Sequence, residues 1–75
     1  MDKVVIIDPA AAQALVGESL AVVVAAPDPV AVADAVATLR EGGMEAAGWI
    51  GHPSDPAAQE MALELFPGCE VVVRR

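Results

Sequence analysis

Residues 20–51 read LAVVVAAPDPVAVADAVATLREGGMEAAGWIG, and this stretch decides the fold. It opens with an unbroken aliphatic run, Leu20 to Ala25, turns at Pro27, and restarts at Asp28-Pro29. From there Val32, Val36 and Leu39 fall on one side of a helical period, with Asp34, Thr38 and Glu41 on the other. A continuous apolar run without alternation marks a strand covered on both faces, and the stripe that follows has the period of an amphipathic helix. Asp28 stands where an N-cap carboxylate accepts an unpaired backbone N–H, and Pro29 stands where a missing N–H costs nothing. A helix is expected over Pro29 to Glu41, closed by Gly42-Gly43, since a glycine takes the positive φ of a helix terminus without strain. Another short run, Ala46 to Ile50, comes next, so the stretch reads strand, helix, strand.

The same grammar extends in both directions. Val4 to Ile7 and Val71 to Val73 are further β-branched runs, and Asp8-Pro9 and Asp55-Pro56 repeat the cap-and-proline start. The first helix is expected over Pro9 to Val16, closing at Gly17. The third runs over Pro56 to Phe66, burying Ala58, Met61, Ala62 and Leu65, exposing Glu60 and Glu64, and ending at Pro67-Gly68. The Asp-Pro pairs recur after 20 and then 27 residues, too irregular for a solenoid. They read as capping chemistry. The order β-α-β-α-β-α-β favours parallel strands joined by right-handed crossovers. One α/β domain over residues 1–75 is therefore expected, with a four-stranded, largely parallel sheet and a core of Val5, Ile7, Val22, Val24, Val36, Leu39, Met61, Leu65 and Val72. The alternative at this length is a ferredoxin-like α+β sandwich with some strands antiparallel.

Composition narrows the function. At 56% hydrophobic residues and a mean hydropathy of +0.55, the chain has the apolar surface that a disordered segment lacks. A formal charge of −7, from 11 acidic and 4 basic residues, removes the electrostatic basis for binding nucleic acid or an anionic membrane surface. Asp, Pro, Glu or Gly interrupts every Ala/Val-rich stretch well short of the ~20 apolar residues of a spanning helix. The N-terminus goes straight from Met1-Asp2-Lys3 into an apolar run, without the pattern of an export signal. A single cysteine, Cys69, cannot close an intrachain disulfide, and no Cys/His cluster offers a metal site. The cytosol is the expected compartment, with no cofactor and no metal. Cys69 has no cationic neighbour in sequence and reads as a small buried hydrophobe, and Met44 and Met61 read as core filler.

The loop Gly48 to Asp55 carries the only Trp and the only His. In a parallel sheet it emerges at the carboxyl ends of the strands, where ligands of open α/β sheets bind. Trp49, Gly51, His52, Ser54 and Asp55 are therefore the candidate ligand or interface residues. His52, Ser54 and Asp55 are too crowded in sequence for the geometry of a catalytic triad, so no catalytic residue is assigned. Their plainer roles are Asp55 as helix cap, His52 as surface loop and Trp49 as core or interface anchor. No phosphate-binding glycine pattern follows any strand. The three aspartates would also place negative charge at the helix N-termini where a phosphate would bind.

Two family resemblances extend this reading. Glu18-Ser19-Leu20-Ala21-Val22-Val23-Val24, Pro27, the helix end Leu39-Arg40-Glu41-Gly42-Gly43 and Met44-Glu45-Ala46-Ala47-Gly48-Trp49-Ile50-Gly51 resemble the C-terminal domain of aminoimidazole-ribonucleotide-synthase-like proteins. The resemblance covers about half the chain and implies a partner-binding α/β fold. That family's ATP-binding motifs belong to an N-terminal domain without counterpart in these residues, so no catalytic residue carries over. Leu20 to Val73, with Ser54-Asp55-Pro56-Ala57-Ala58 and Pro67-Gly68, is similar to the middle of short-chain dehydrogenases, which implies a Rossmann-like fold. Here the family's glycine-rich turn is replaced by Asp8-Pro9-Ala10-Ala11-Ala12, and its Tyr-x-x-x-Lys pair cannot exist in a chain without Tyr. The enzymatic function does not transfer.

The expected function is thus a non-enzymatic interaction or accessory module that forms a homo-oligomer or docks to a larger subunit. So high an apolar fraction in a chain with so little interior motivates it, and Arg74-Arg75 reads as charge limiting uncontrolled edge pairing. The alternative is a small-molecule binding or regulatory domain, for a nucleotide or metabolite, built on the Gly48–Asp55 loop. A binding site would gather His52, Ser54 and Asp55 around a concavity, whereas an interface would present Trp49 and aliphatic neighbours as a patch.

Overall fold

In the computed structural model, which describes residues 3–16 and 20–73, four strands form one sheet. They are β1 (Lys3–Ile7), β2 (Ala21–Ala26), β3 (Ala46–Ile50) and β4 (Glu70–Val73), in the order β3-β2-β1-β4. Every neighbouring pair is parallel, with Val5 opposite both Val22 and Val72, and Val24 opposite Gly48. The α/β reading holds, and the antiparallel alternative is not adopted. Gly17 and the Arg74-Arg75 pair lie outside the described residues.

The strand order accounts for the layers. Stepping from β1 to β2 to β3 with right-handed crossovers puts the first two helical segments on one face of the sheet, and the return from β3 to β4 puts the last helix on the other. The first face is covered by a 3-10 helix, Pro9–Leu15, and by α1 (Pro29–Glu41). It buries Val5, Ile7, Val22 and Val24 against Leu15, Val32, Val36 and Leu39. The second face is covered by α2 (Pro56–Leu65) alone, with Val4, Ile6, Val23 and Ala25 beneath Ala58 and Ala62. Successive side chains of β1 and β2 point to opposite faces, and both faces are covered. That is the physical source of the unbroken apolar runs.

All three Asp-Pro starts are caps. Asp8 Oδ1 accepts from the Ala11 N–H at 3.0 Å, Asp28 Oδ1 from Val30 at 3.0 Å, and Asp55 Oδ1 from Ala57 at 2.9 Å. Gly43, at φ +84°, supplies the left-handed residue that closes α1, and α1 has the expected bounds.

Three expectations need correction. The first helix is a 3-10 helix over Pro9–Leu15 rather than an α-helix over Pro9 to Val16: seven residues gain little from α-helical cooperativity, and three-residue bonds from Ala11 to Asp8 and from Val16 to Gln13 stand at its two ends. The third helix stops at Leu65, with Phe66 as its C-cap. The core also differs: Leu65 is 50% exposed, and Met61 and Val72 are only partly buried. A lone helix centres its most buried residues, Ala58 and Ala62, on the sheet and has no neighbouring helix to cover its flanks, so Leu65 falls outside. Cys69 and Met61 pack against this second face as partly buried hydrophobics, while Met44 is buried on the first.

Candidate functional site

β3 leads into the loop before α2 at the carboxyl end of the sheet. The Gly51 N–H still donates to the Ala26 carbonyl at 2.9 Å, so β3 stays zipped to β2 up to that point. Gly51 then turns at φ +151° with the Trp49 ring lying against it, where any Cβ would collide with the indole. Trp49 is half-buried and packs on the α2 face of the sheet. It is an internal anchor more than a projecting one.

His52 is exposed. Its Nδ1 accepts from the Ser54 backbone N–H at 3.2 Å, and the Ser54 hydroxyl lies 2.6 Å from the same nitrogen. The Ser54 backbone N–H can only donate, so Nδ1 is its acceptor, and the Ser54 hydroxyl lies against the same nitrogen. This is a local turn that fixes the ring. The Asp55 carboxylate is engaged on Ala57, at the start of α2, and does not orient the imidazole. The structure therefore brings His52 and Ser54 together and leaves Asp55 out, so no triad forms.

Asp8, Ala25, Ala26, Pro27, His52, Pro53 and Ser54 line a cleft of about 440 Å³. It gathers the ends of β1 and β2 and the loop after β3, on the side of the sheet where open α/β folds take ligands. Asp8 is its one carboxylate, and Oδ1 of that group is engaged by the Ala11 N–H. Sequence reasoning assigned Asp8 only a capping role. What places it beside His52 is the strand order, which spacing alone does not give. Among the described residues no group of three or more His, Cys, Asp or Glu stands where it could hold a metal ion, and no helix is long and apolar enough to cross a membrane.

The outer edge of β3 is the second candidate surface. Glu45 C=O and Gly51 N–H bond to β2, so by alternation the backbone groups of Ala46, Gly48 and Ile50 point away from the sheet. Arg40, in the last turn of α1, donates to the Ala46 carbonyl through Nε at 3.1 Å and Nη2 at 3.0 Å. Its fork thus closes the lower end of the edge. Above it Gly48 is exposed and Ile50 is 53% exposed. Beside them runs a groove of about 620 Å³, walled by Pro29, Ala33 and Ala37 of α1 and floored by Val32 and Val36. Nothing in the sequence singled out this groove, because it arises only where α1 overhangs an edge strand. Compared with protein-family models and with curated proteins, the chain matches none.

Proposed function

We propose that the protein is a non-enzymatic interaction module that works by associating, with itself or with a larger subunit, through the β3 edge and the adjoining side of α1. The observation that carries this reading is the open upper half of that edge: Gly48 and Ile50 present outward backbone groups beside a groove that is apolar along Pro29, Val32, Ala33, Val36 and Ala37 and charged only at its lower end, by Arg40 and Glu41. No charged side chain or proline interrupts Ala46 to Ile50, although native edges are usually guarded in one of those ways. The likeness to a partner-binding C-terminal domain points the same way, and a single cysteine suits the reducing cytosol. Sedimentation over a dilution series, paired with affinity capture by the wild-type chain and by Ile50→Lys, tests it. A larger species or a retained partner that the lysine variant loses is expected. A monomer whose captured proteins match those of Ile50→Lys refutes it.

A second reading rests on the cleft. Asp8, His52 and Ser54 converge on about 440 Å³ of space at the strand ends, which suits a small polar metabolite better than a phosphate, since aspartates occupy all three helical N-termini. Trp49 emission titrated with metabolites and nucleotides at millimolar concentration tests it. Saturable quenching that is unchanged by protein dilution and lost in His52→Ala would favour this reading over the first.

A further inference from the structure

We infer that the occupant of the β3 edge is a second copy of this chain, paired antiparallel about a two-fold axis that passes beside Trp49. This rests on the interaction reading and adds to it the partner and the register. With the Ala46 carbonyl held by Arg40, the outward residues of β3 that offer both an N–H and a C=O are Gly48 and Ile50. An antiparallel pair exchanges N–H and C=O between residues directly opposite. A two-fold arrangement that uses these residues and leaves the arginine fork in place sets Gly48 of each copy opposite Ile50 of the other.

Side-chain sizes match that register. The exposed Ile50 meets a residue without a side chain, beside the groove that the neighbouring helix leaves open. The floor of that groove is firm, since a Cβ on Gly48 would stand 2.6 Å from Val32 Cγ1, so the incoming isoleucine lies along the groove rather than over Gly48. On the opposite face the two Trp49 residues lie directly opposite each other at the axis, as an aromatic cross-strand pair; each leans along its own strand over Gly51, which in this register faces Ala47 of the second copy.

The helices agree. α1 packs over β2 and β3, and strands lie about 4.8 Å apart, so two copies of α1 would run antiparallel roughly 10 Å apart. Packed helices lie at about 8–10 Å. Ala33 and Ala37 on the facing side permit that approach, and the end of each α1 that carries Arg40 and Glu41 comes to the Asp28-Pro29 end of the other. The resulting contact is isologous, as closed dimers require.

The test is a disulfide across the axis. In a Cys69→Ala background, Trp49→Cys should form a covalent dimer on mild oxidation, because residues opposite one another at a non-hydrogen-bonded position have Cβ atoms within reach of a disulfide. Adding Ile50→Lys should abolish it. Should Trp49→Cys fail to fold, sedimentation of two exposed-site variants of the full chain decides: Ile50→Lys should weaken dimerisation at least tenfold and Leu63→Lys, on α2, should leave it unchanged. A dimer lost in Leu63→Lys but kept in Ile50→Lys overturns the inference. So does cross-linking of mixed Ala46→Cys and Ile50→Cys chains in place of the Trp49→Cys bond, which would move the axis to Gly48. A chain that stays monomeric at its highest soluble concentration, yet captures a partner that Ile50→Lys does not, overturns the second copy and leaves the interaction reading standing. A monomer that captures nothing overturns both.

Discussion

The two faces of the sheet are built from the same strands and end up differently packed. On the α1 face two helical segments lie side by side, and Ile7, Val22, Val24 and Leu39 are sealed from solvent. On the α2 face a single helix sits down on two alanines, Ala58 and Ala62, while Trp49, Met61, Phe66, Val71 and Val73 remain only partly covered. Alanines let the helix approach closely but bury little apolar area of their own. The strand residues Val4, Ile6 and Val23 are as fully buried on this face as Ile7, Val22 and Val24 are on the other, so the difference lies at the rim, where one crossover covers less than two.

Substitutions can break that comparison. Leu39→Ala should have the largest effect, about 2–5 kcal/mol by urea denaturation, because it removes a side chain with no exposure from the better-filled face. A domain of this size is stable by only about 4–11 kcal/mol, so the variant should be close to unfolding. Ala62→Leu comes next, at about 1–3 kcal/mol, since a larger residue must lift α2 from the sheet. A gain in stability instead would mean that the α2 face contains unfilled space. Asp28→Ala should cost about 1 kcal/mol through loss of the α1 cap. Its counterpart Asp55→Ala should cost a similar amount, and a clearly larger loss would assign Asp55 a role beyond capping. Smallest of all, Leu65→Ala should change stability by less than about 0.5 kcal/mol, as befits a half-exposed side chain. If it matched Leu39→Ala, the two faces would be equally closed.

Much of this architecture was legible in the sequence because local signals agreed with one another. Asp-Pro marked each helix start, Gly42-Gly43 marked the end of α1, and unbroken valine runs marked strands with both faces covered. Leu65 misled because its helical spacing from Ala58 and Ala62 suits a helix flanked by neighbours, whereas α2 has none on its face. The site was half visible. His52 and Ser54 were named from their place after β3, and they do share a cleft. Asp8, and the pairing of Gly48 with the overhang of α1, depend on which strands lie side by side, and that is a property of the completed sheet.

The β1–β4 pairing sets the order in which the molecule can be assembled. Lys3 lies opposite Glu70 and Val5 opposite Val72, so the second edge of β1 closes only on a strand that follows β2, α1, β3 and α2 in sequence. A nascent chain emerging from the ribosome can form β1, β2, α1 and β3 well before β4 exists. Until then the Val4–Ile7 segment is an uncapped aliphatic edge, the kind of strand that recruits the wrong neighbour. Long-range parallel pairing is slow to form, and in this protein it is the pairing that covers the open side of the Val4–Ile7 run.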